Sequence, residues 1–191
     1  MLQNLPRALG RALRPIRPGP ARIALSELNA DPRKGSIDVF SSAFRDGEPL
    51  PARYTADGDG VSPSMQWRGV PRGTAGIVVI MEDMDSPTLH PLVHAIVWGL
   101  PGSDGGVPEG ALSTTRARAA AAPMGRNSYL MTRYVAPGPP PGHGPHRYAI
   151  EVIALDVAPG FHGTPGRSDV IEAARGHVIG VGCLIGTYAR A

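Results

Sequence analysis

From residue 22 onward the apolar residues come in short runs, rich in Val and Ile and closed off by Gly or Pro. Such runs read as β-strands, and the dense punctuation leaves no place for the helical stretches of a βαβ unit. The pattern predicts strands near Ile37 to Phe40, Ile77 to Met81, Val93 to Trp98, Tyr148 to Leu155 and Val178 to Ile185. Entering the fourth of these, His146, Tyr148, Ile150 and Val152 alternate onto one face. One helix is signalled late in the chain: Ser168 or Asp169 as cap, Asp169 and Glu172 at capping-box spacing, Val170, Ile171 and Ala174 as apolar face, and Gly176 as terminator. Pro101 to Pro123, rich in Gly, Ser, Ala and Arg without periodicity, reads as a surface loop. No internal repeat is present.

The start of the chain has a different period. Leu2, Leu5, Leu9, Ala12, Leu13 and Ile16 recur at spacings of three and four with arginines between them, which predicts an amphipathic helix ended by Pro15, Pro18 and Pro20. There is no continuous apolar stretch behind the basic start, so a secretory signal does not fit. A transit peptide, a membrane-surface helix and an arm docked through its Leu face on the body or on a second subunit remain as readings; the shortness of the helix favours docking. Residues 1–22 are accordingly set apart as a basic arm and residues 23–191 as one domain.

Composition supports that division. The 191 residues include 25 Gly and 21 Pro, too many breakers for a helical bundle. The length suits a single core, and no run approaches the roughly 18 apolar residues of a membrane span. The formal charge is +3, but Arg7, Arg11, Arg14, Arg17 and Arg22 are all in the first 26 residues, which contain no acid. Taking those five from the 19 basic residues leaves 14 against 16 acidic ones, a balance of −2. The body therefore has no excess of cations with which to track nucleic-acid phosphates. The lone Cys183 makes no internal disulfide and reads as a small buried residue on a strand; a reducing, cytoplasmic setting is expected.

Three clusters can carry chemistry. Glu82-Asp83-Met84-Asp85-Ser86-Pro87 closes the apolar run Ile77 to Met81, so carboxylates stand at the end of a buried strand; the competing reading is a solvated turn. His94 sits among apolar residues, where a hydrogen-bonded core histidine is the competing reading. The loop from Pro137 through Gly138, Pro140, Gly142 and His143 to His146, Arg147 and Tyr148 feeds directly into a strand. Its prolines offer no N–H, so it makes a poor phosphate cradle, and an anion there would rely on glycine amides with the His and Tyr side chains.

The order Tyr54-Thr55-Ala56-Asp57-Gly58, Ser62-Pro63-Ser64-Met65-Gln66-Trp67, Asp83-Met84-Asp85-Ser86-Pro87, His94 and the Pro-Gly loop ending His146-Arg147-Tyr148 resembles the phosphatidylethanolamine-binding protein family, most closely its bacterial, Raf kinase inhibitor-like branch. The resemblance runs from about Ile37 to Tyr188. It implies a mainly β fold, an antiparallel β-sandwich of two sheets with small peripheral helices. It also implies a cavity for a small anion, such as phosphate, a phosphoethanolamine-like head group or a carboxylate. Asp83, Asp85, Pro87, His94, Gly138, Pro140, His146 and Tyr148 match the family's ligand-binding positions. The sequence departs from the family pattern at Met84, Ala95, Val135 and Ala136, and in the arm.

Two carboxylates beside an anion repel it, so Asp83 and Asp85 are expected to orient His94 or His146 while the imidazoles and Tyr148 donate. The expected function is non-enzymatic binding of a small anion, with no cofactor, no metal, no nucleic acid and no integral membrane association. A homodimer and a protein target are possible partners. The alternative class is an inhibitor of a kinase or protease. A hydrolase or metal enzyme is the remaining reading; the Gly-x-Ser-x-Gly elbow and the zinc spacings that would support it are absent.

Overall fold

The computed structural model describes residues 4–29, 35–113 and 122–190. Its elements are α1 (Arg7–Leu13), α2 (Ala24–Glu27), β1 (Asp38–Phe40), β2 (Met65–Arg68), β3 (Gly76–Asp83), β4 (Leu92–Leu100), β5 (Gly105–Val107), β6 (His146–Leu155), α3 (Arg167–Ala174) and β7 (Val178–Tyr188), with short 3-10 turns at Pro20–Arg22 and Ala52–Tyr54. The strands form two antiparallel sheets, ordered β1-β2-β5 and β4-β3-β6-β7. This is the expected mainly β sandwich with small peripheral helices.

The larger sheet carries two cores. On its inner face Ile77, Val79 and Met81 of β3 join Ile150, Val152 and Ala154 of β6 and meet Met65, Trp67, Val39 and Val107 of the smaller sheet. On its outer face Val78, Ile80, Ile153 and Leu155 pack beneath Ala24 of α2 and Val170, Ile171 and Ala174 of α3. Because both faces of β3 are covered, all eight of its residues are buried, and the strand reads as an unbroken apolar run rather than an alternation. The sheets close on each other at β7, where Gly182 lies so near the smaller sheet that a Cβ would fall 2.2 Å from the Ile37 carbonyl.

The five expected strands all form, each extended or trimmed by one to three residues. Two further strands were not anticipated. β2 is only four residues long, although Met65 and Trp67 are buried while Gln66 and Arg68 are not. β5 lies inside the stretch expected to be a surface loop; its Val107, together with Leu112, belongs to the inner core. Residues 114–121 of that stretch fall outside the described residues. Helix α3 starts two or three residues earlier than its cap signals imply: Gly166 is the N-cap, and its amide donates to Asp169 Oδ2 at 2.7 Å. Gly176 ends the helix with φ of 80°. Cys183 is on β7 as expected but exposed rather than buried, because it faces outward.

The arm also departs from expectation. Helix α1 forms, with Pro6 ahead of it, but the apolar stripe is only partly covered: Leu5 and Leu13 are half-buried, Leu9 and Ile16 are exposed, and Leu2 lies outside the described residues. Gly10 is the buried residue of α1, and a Cβ there would come within 2.0 Å of the Pro141 carbonyl oxygen. The surface under α1 is the Pro-Gly loop, which presents carbonyls rather than an apolar face. It is met by a residue without a side chain and by arginine donors: Arg14 Nε to Gly142 O and Arg17 Nη1 to Pro145 O, both at 2.8 Å. Among the described residues no helix is long and apolar enough to cross a membrane.

Candidate functional site

Adjacent residues of β3 face opposite ways, so Asp83 points to the inner side and Glu82 to the outer one. Asp83 pairs in register with Tyr148 of β6 and Leu92 of β4. Strict alternation from Ala95 and Val97 would turn His94 outward, yet β4 slips register here: Met81 faces Ala95 and Glu82 faces Val93, leaving His94 as the extra residue of a bulge. The bulge brings His94 to the same side as Leu92 and Asp83.

These residues surround a small cavity of about 20 Å³, lined among others by Asp83, Pro87, His94, Tyr129, Gly138, Pro140 and His146. Of the eight residues matched by resemblance, six therefore reach it directly. Tyr148 stands behind His94, ring edge against ring face with centroids 5.2 Å apart. Asp85 is the outlier: its oxygens are spent on Arg147, whose amide, Nε and Nη2 donate at 2.7–2.9 Å, and on Arg17 at 3.2 Å. Burial raises the Asp85 carboxyl, but these bonds and charges outweigh it and hold the group below its ordinary range. Asp85 thus shapes the loop behind the cavity, and the expected division of labour changes. His94 is oriented by the Val135 carbonyl, 2.5 Å from Nδ1, and only His146 is held by a carboxylate, with Nδ1 2.7 Å from Asp83 Oδ2.

The second nitrogen of His146 is also occupied, lying 2.7 Å from His143 Nδ1. His146 consequently has no N–H to offer a ligand and presents its ring to the cavity. His94 and Tyr148 differ: among the described residues His94 Nε2 and Tyr148 Oη are buried with no hydrogen-bond partner. Burial is the main force on both. It lowers His94 below the usual histidine range, with the His146 charge assisting against Asp83 and Val135, and it raises Tyr148 far above the usual phenol range, with Asp83 next. A neutral imidazole with Nδ1–H committed to Val135 leaves Nε2 as an acceptor, beside a phenol that donates.

Sequence reasoning did not single out His143, Tyr129 or Arg17. His143 and His146 stand three apart in a loop of prolines, a spacing that was visible; the approach of Arg17 from the arm was not. The departures from the family pattern are split. Val135 and Ala136 line the cavity, Ala95 belongs to the inner core, and Met84 is buried against Ile23 and Ala149. Among the described residues no three His, Cys, Asp or Glu side chains gather in a metal-holding arrangement.

The class that fold and site define is a two-sheet antiparallel sandwich with a small cavity at the strand ends. The sequence pattern of the phosphatidylethanolamine-binding protein family matches residues 40–189, and the chain belongs to that family. It is 34% identical over 155 residues to a UPF0098 protein of Aquifex aeolicus, covering 81% of this chain and 89% of the relative, and 35% identical over 149 residues to UPF0098 protein YbhB of Escherichia coli, covering 75% and 89%. Among solved structures, a putative phosphatidylethanolamine-binding protein homologue from Chlamydia trachomatis superposes with TM-score 0.73 at 30% identity, over 82% of this chain and 99% of that one. Escherichia coli YbcL, described as a new member of the mammalian family, superposes with TM-score 0.74 at 26% identity, over 81% and 99%. Membership carries a binding type of function in general.

Proposed function

We propose that the protein is a non-enzymatic binder of a small anionic group, phosphate- or carboxylate-bearing, held at the cavity between Asp83, His94 and the Pro-Gly loop. One observation carries the reading: His94 Nε2, an acceptor while neutral, on a residue that lines the cavity, and Tyr148 Oη, a donor on the ring behind it, are both buried with no partner among the described residues. Buried polar groups left unpaired are costly, so such a pair favours a group that both accepts and donates. A protonated oxyanion does both. A fully ionised one binds with a proton taken up on His94, which turns Nε2 into a charge-assisted donor. The cavity admits one such group, and the rest of the ligand lies outside it.

Isothermal calorimetry with inorganic phosphate, phosphoethanolamine and acetate at pH 6 and pH 8 tests this. Binding is expected to carry one proton and to weaken by about tenfold per pH unit above the His94 titration range. Tyr148→Phe is expected to cost roughly ten- to a hundredfold in affinity, the value of a hydrogen bond to a charged group. Absence of binding by all three at millimolar concentration, or affinity independent of pH, overturns the reading.

A further inference from the structure

The arm completes a hydrogen-bond chain that runs behind the cavity. The Leu13 carbonyl lies 3.0 Å from His143 Nε2, His143 Nδ1 lies 2.7 Å from His146 Nε2, and His146 Nδ1 lies 2.7 Å from Asp83 Oδ2. Each gap needs one hydrogen. A carbonyl has only lone pairs, so the first hydrogen belongs to His143 Nε2. Arg17 Nη2, which can only donate, faces His143 Nδ1 at 3.4 Å, and this marks Nδ1 as the lone-pair nitrogen. The second hydrogen is then on His146 Nε2. The third faces Asp83, whose Oδ1 already accepts the Asp85 amide at 2.9 Å. With Asp83 as a carboxylate, which only accepts, that third hydrogen is on His146 Nδ1, and the two rings hold three hydrogens, one more than two neutral imidazoles possess.

We infer that the N-terminal arm is a proton-linked positioning element of the cavity: docking of Leu13 on His143 fixes one positive charge on the His143–His146 pair, localised on His146 against Asp83. With the arm away, His143 is free to take its other tautomer, donating from Nδ1 to His146 Nε2 while His146 Nδ1 still donates to Asp83. Two hydrogens then satisfy both remaining bonds and the pair is neutral. Docking therefore binds a proton, and lowering the pH tightens it. The charged groups around the pair are Arg17 and Asp83, and the titratable rings of His94 and Tyr148 stand behind His146. Burial first, then the His146 charge and Arg17, oppose a second charge on His143, in keeping with one shared proton rather than two. The same docking brings Arg17 Nη1 to 3.2 Å from Asp85 Oδ1.

The full-length chain and its Gly10→Leu/Arg17→Gln variant provide the test. A side chain at position 10 collides with Pro141 O, whereas leucine is a better helix former than glycine, so a change reports lost docking rather than a weakened helix. Nitrogen-15 NMR of the histidine rings is read in the ligand-free protein at pH 7. The wild type is expected to show three ring hydrogens on the pair and the variant two, with the body resonances unchanged and the arm resonances those of a released segment. Two ring hydrogens in the wild type, three in a variant whose arm is released, or an arm still docked in the variant would each overturn the inference. A further measurement rests on the function proposed above: inorganic phosphate is expected to bind the variant at least about fivefold more weakly, the low end of ordinary coupling between sites. If phosphate does not bind the wild type, that function fails, and the ring-hydrogen count still decides the role of the arm.

Discussion

Glu82 and Asp83 are neighbours in β3, yet each anchors a different buried cluster of two carboxylates on opposite faces of the same sheet. On the inner side Asp83 and Asp85 are matched by the His143–His146 pair, Arg147 and Arg17. On the outer side Glu82 and Glu151 are both fully buried with one guanidinium nearby, and it is bonded to Glu82: Arg167 Nε donates to Glu82 while its Nη1 also serves Glu27 at 3.1 Å. The remaining partners there are amides at the start of α2, Ala24 to Glu82 Oε2 at 2.8 Å and Leu25 to Glu151 Oε2 at 2.7 Å. Burial, followed by the Glu82 charge and its hydrogen bond, pushes Glu151 far above the ordinary carboxylate range, so it keeps its proton. Where cations are sufficient, buried carboxylates stay ionised and orient other groups. Where they are scarce, one acid remains neutral and acts as a hydrogen-bonding wedge between sheet and helix.

The same chemical change, acid to amide, separates the two clusters. Asp83→Asn removes the counter-charge of the imidazole pair and is expected to destabilise the protein by about 3 kcal/mol, the low end for breaking a buried ion pair, in urea denaturation at pH 7. Asp85→Asn follows, at about 1.5 to 3 kcal/mol for its charge-assisted bonds to Arg147. Because the folded Asp85 carboxyl lies below its unfolded value, its stabilisation is present above the ordinary Asp range and lost as pH falls through the folded value. The variant should show a flatter acid limb in a plot of unfolding free energy against pH.

Glu151→Gln keeps the acceptor for Leu25 and is expected to change stability by less than about 1 kcal/mol below pH 4.5. The folded Glu151 carboxyl lies above its unfolded value of 4.5, so its contribution is complete below that pH and is lost as pH rises through the folded value. The amide has no such loss, and the variant should exceed the wild type in stability on the alkaline side. Equal costs for Asp83→Asn and Glu151→Gln at pH 7 would erase the distinction between the clusters. The exposed counterpart comes last. Asp57, lowered to about 2 chiefly by its bond to Arg190, is more than a third exposed, so solvent screening leaves Asp57→Asn a cost below about 1 kcal/mol.

The strand skeleton was legible because burial on both faces writes β3 and β6 as long Val and Ile runs, and Gly176 and the prolines mark where helices stop. Short β2 and the glycine-bearing β5 were hidden, since three or four residues carry too little periodicity to stand apart from a loop. The site residues were named through ordered motifs, but their roles were not: nothing in the run from Leu92 to Trp98 announces the bulge that turns His94 inward.

By itself, then, the chain determined a mainly β single body, a basic arm with a helical period, and the acids, histidines and Pro-Gly loop from which a cavity is built. Those are local properties of pattern and composition. Only the tertiary structure decided that the arm meets the Pro-Gly loop most closely at Gly10, that His143 links it to Asp83, and that Glu82 and Asp83 meet different numbers of cations. Each of these depends on segments more than fifty residues apart approaching within hydrogen-bond distance, and the protonation of a buried group follows from the neighbours that packing supplies rather than from its place in the sequence.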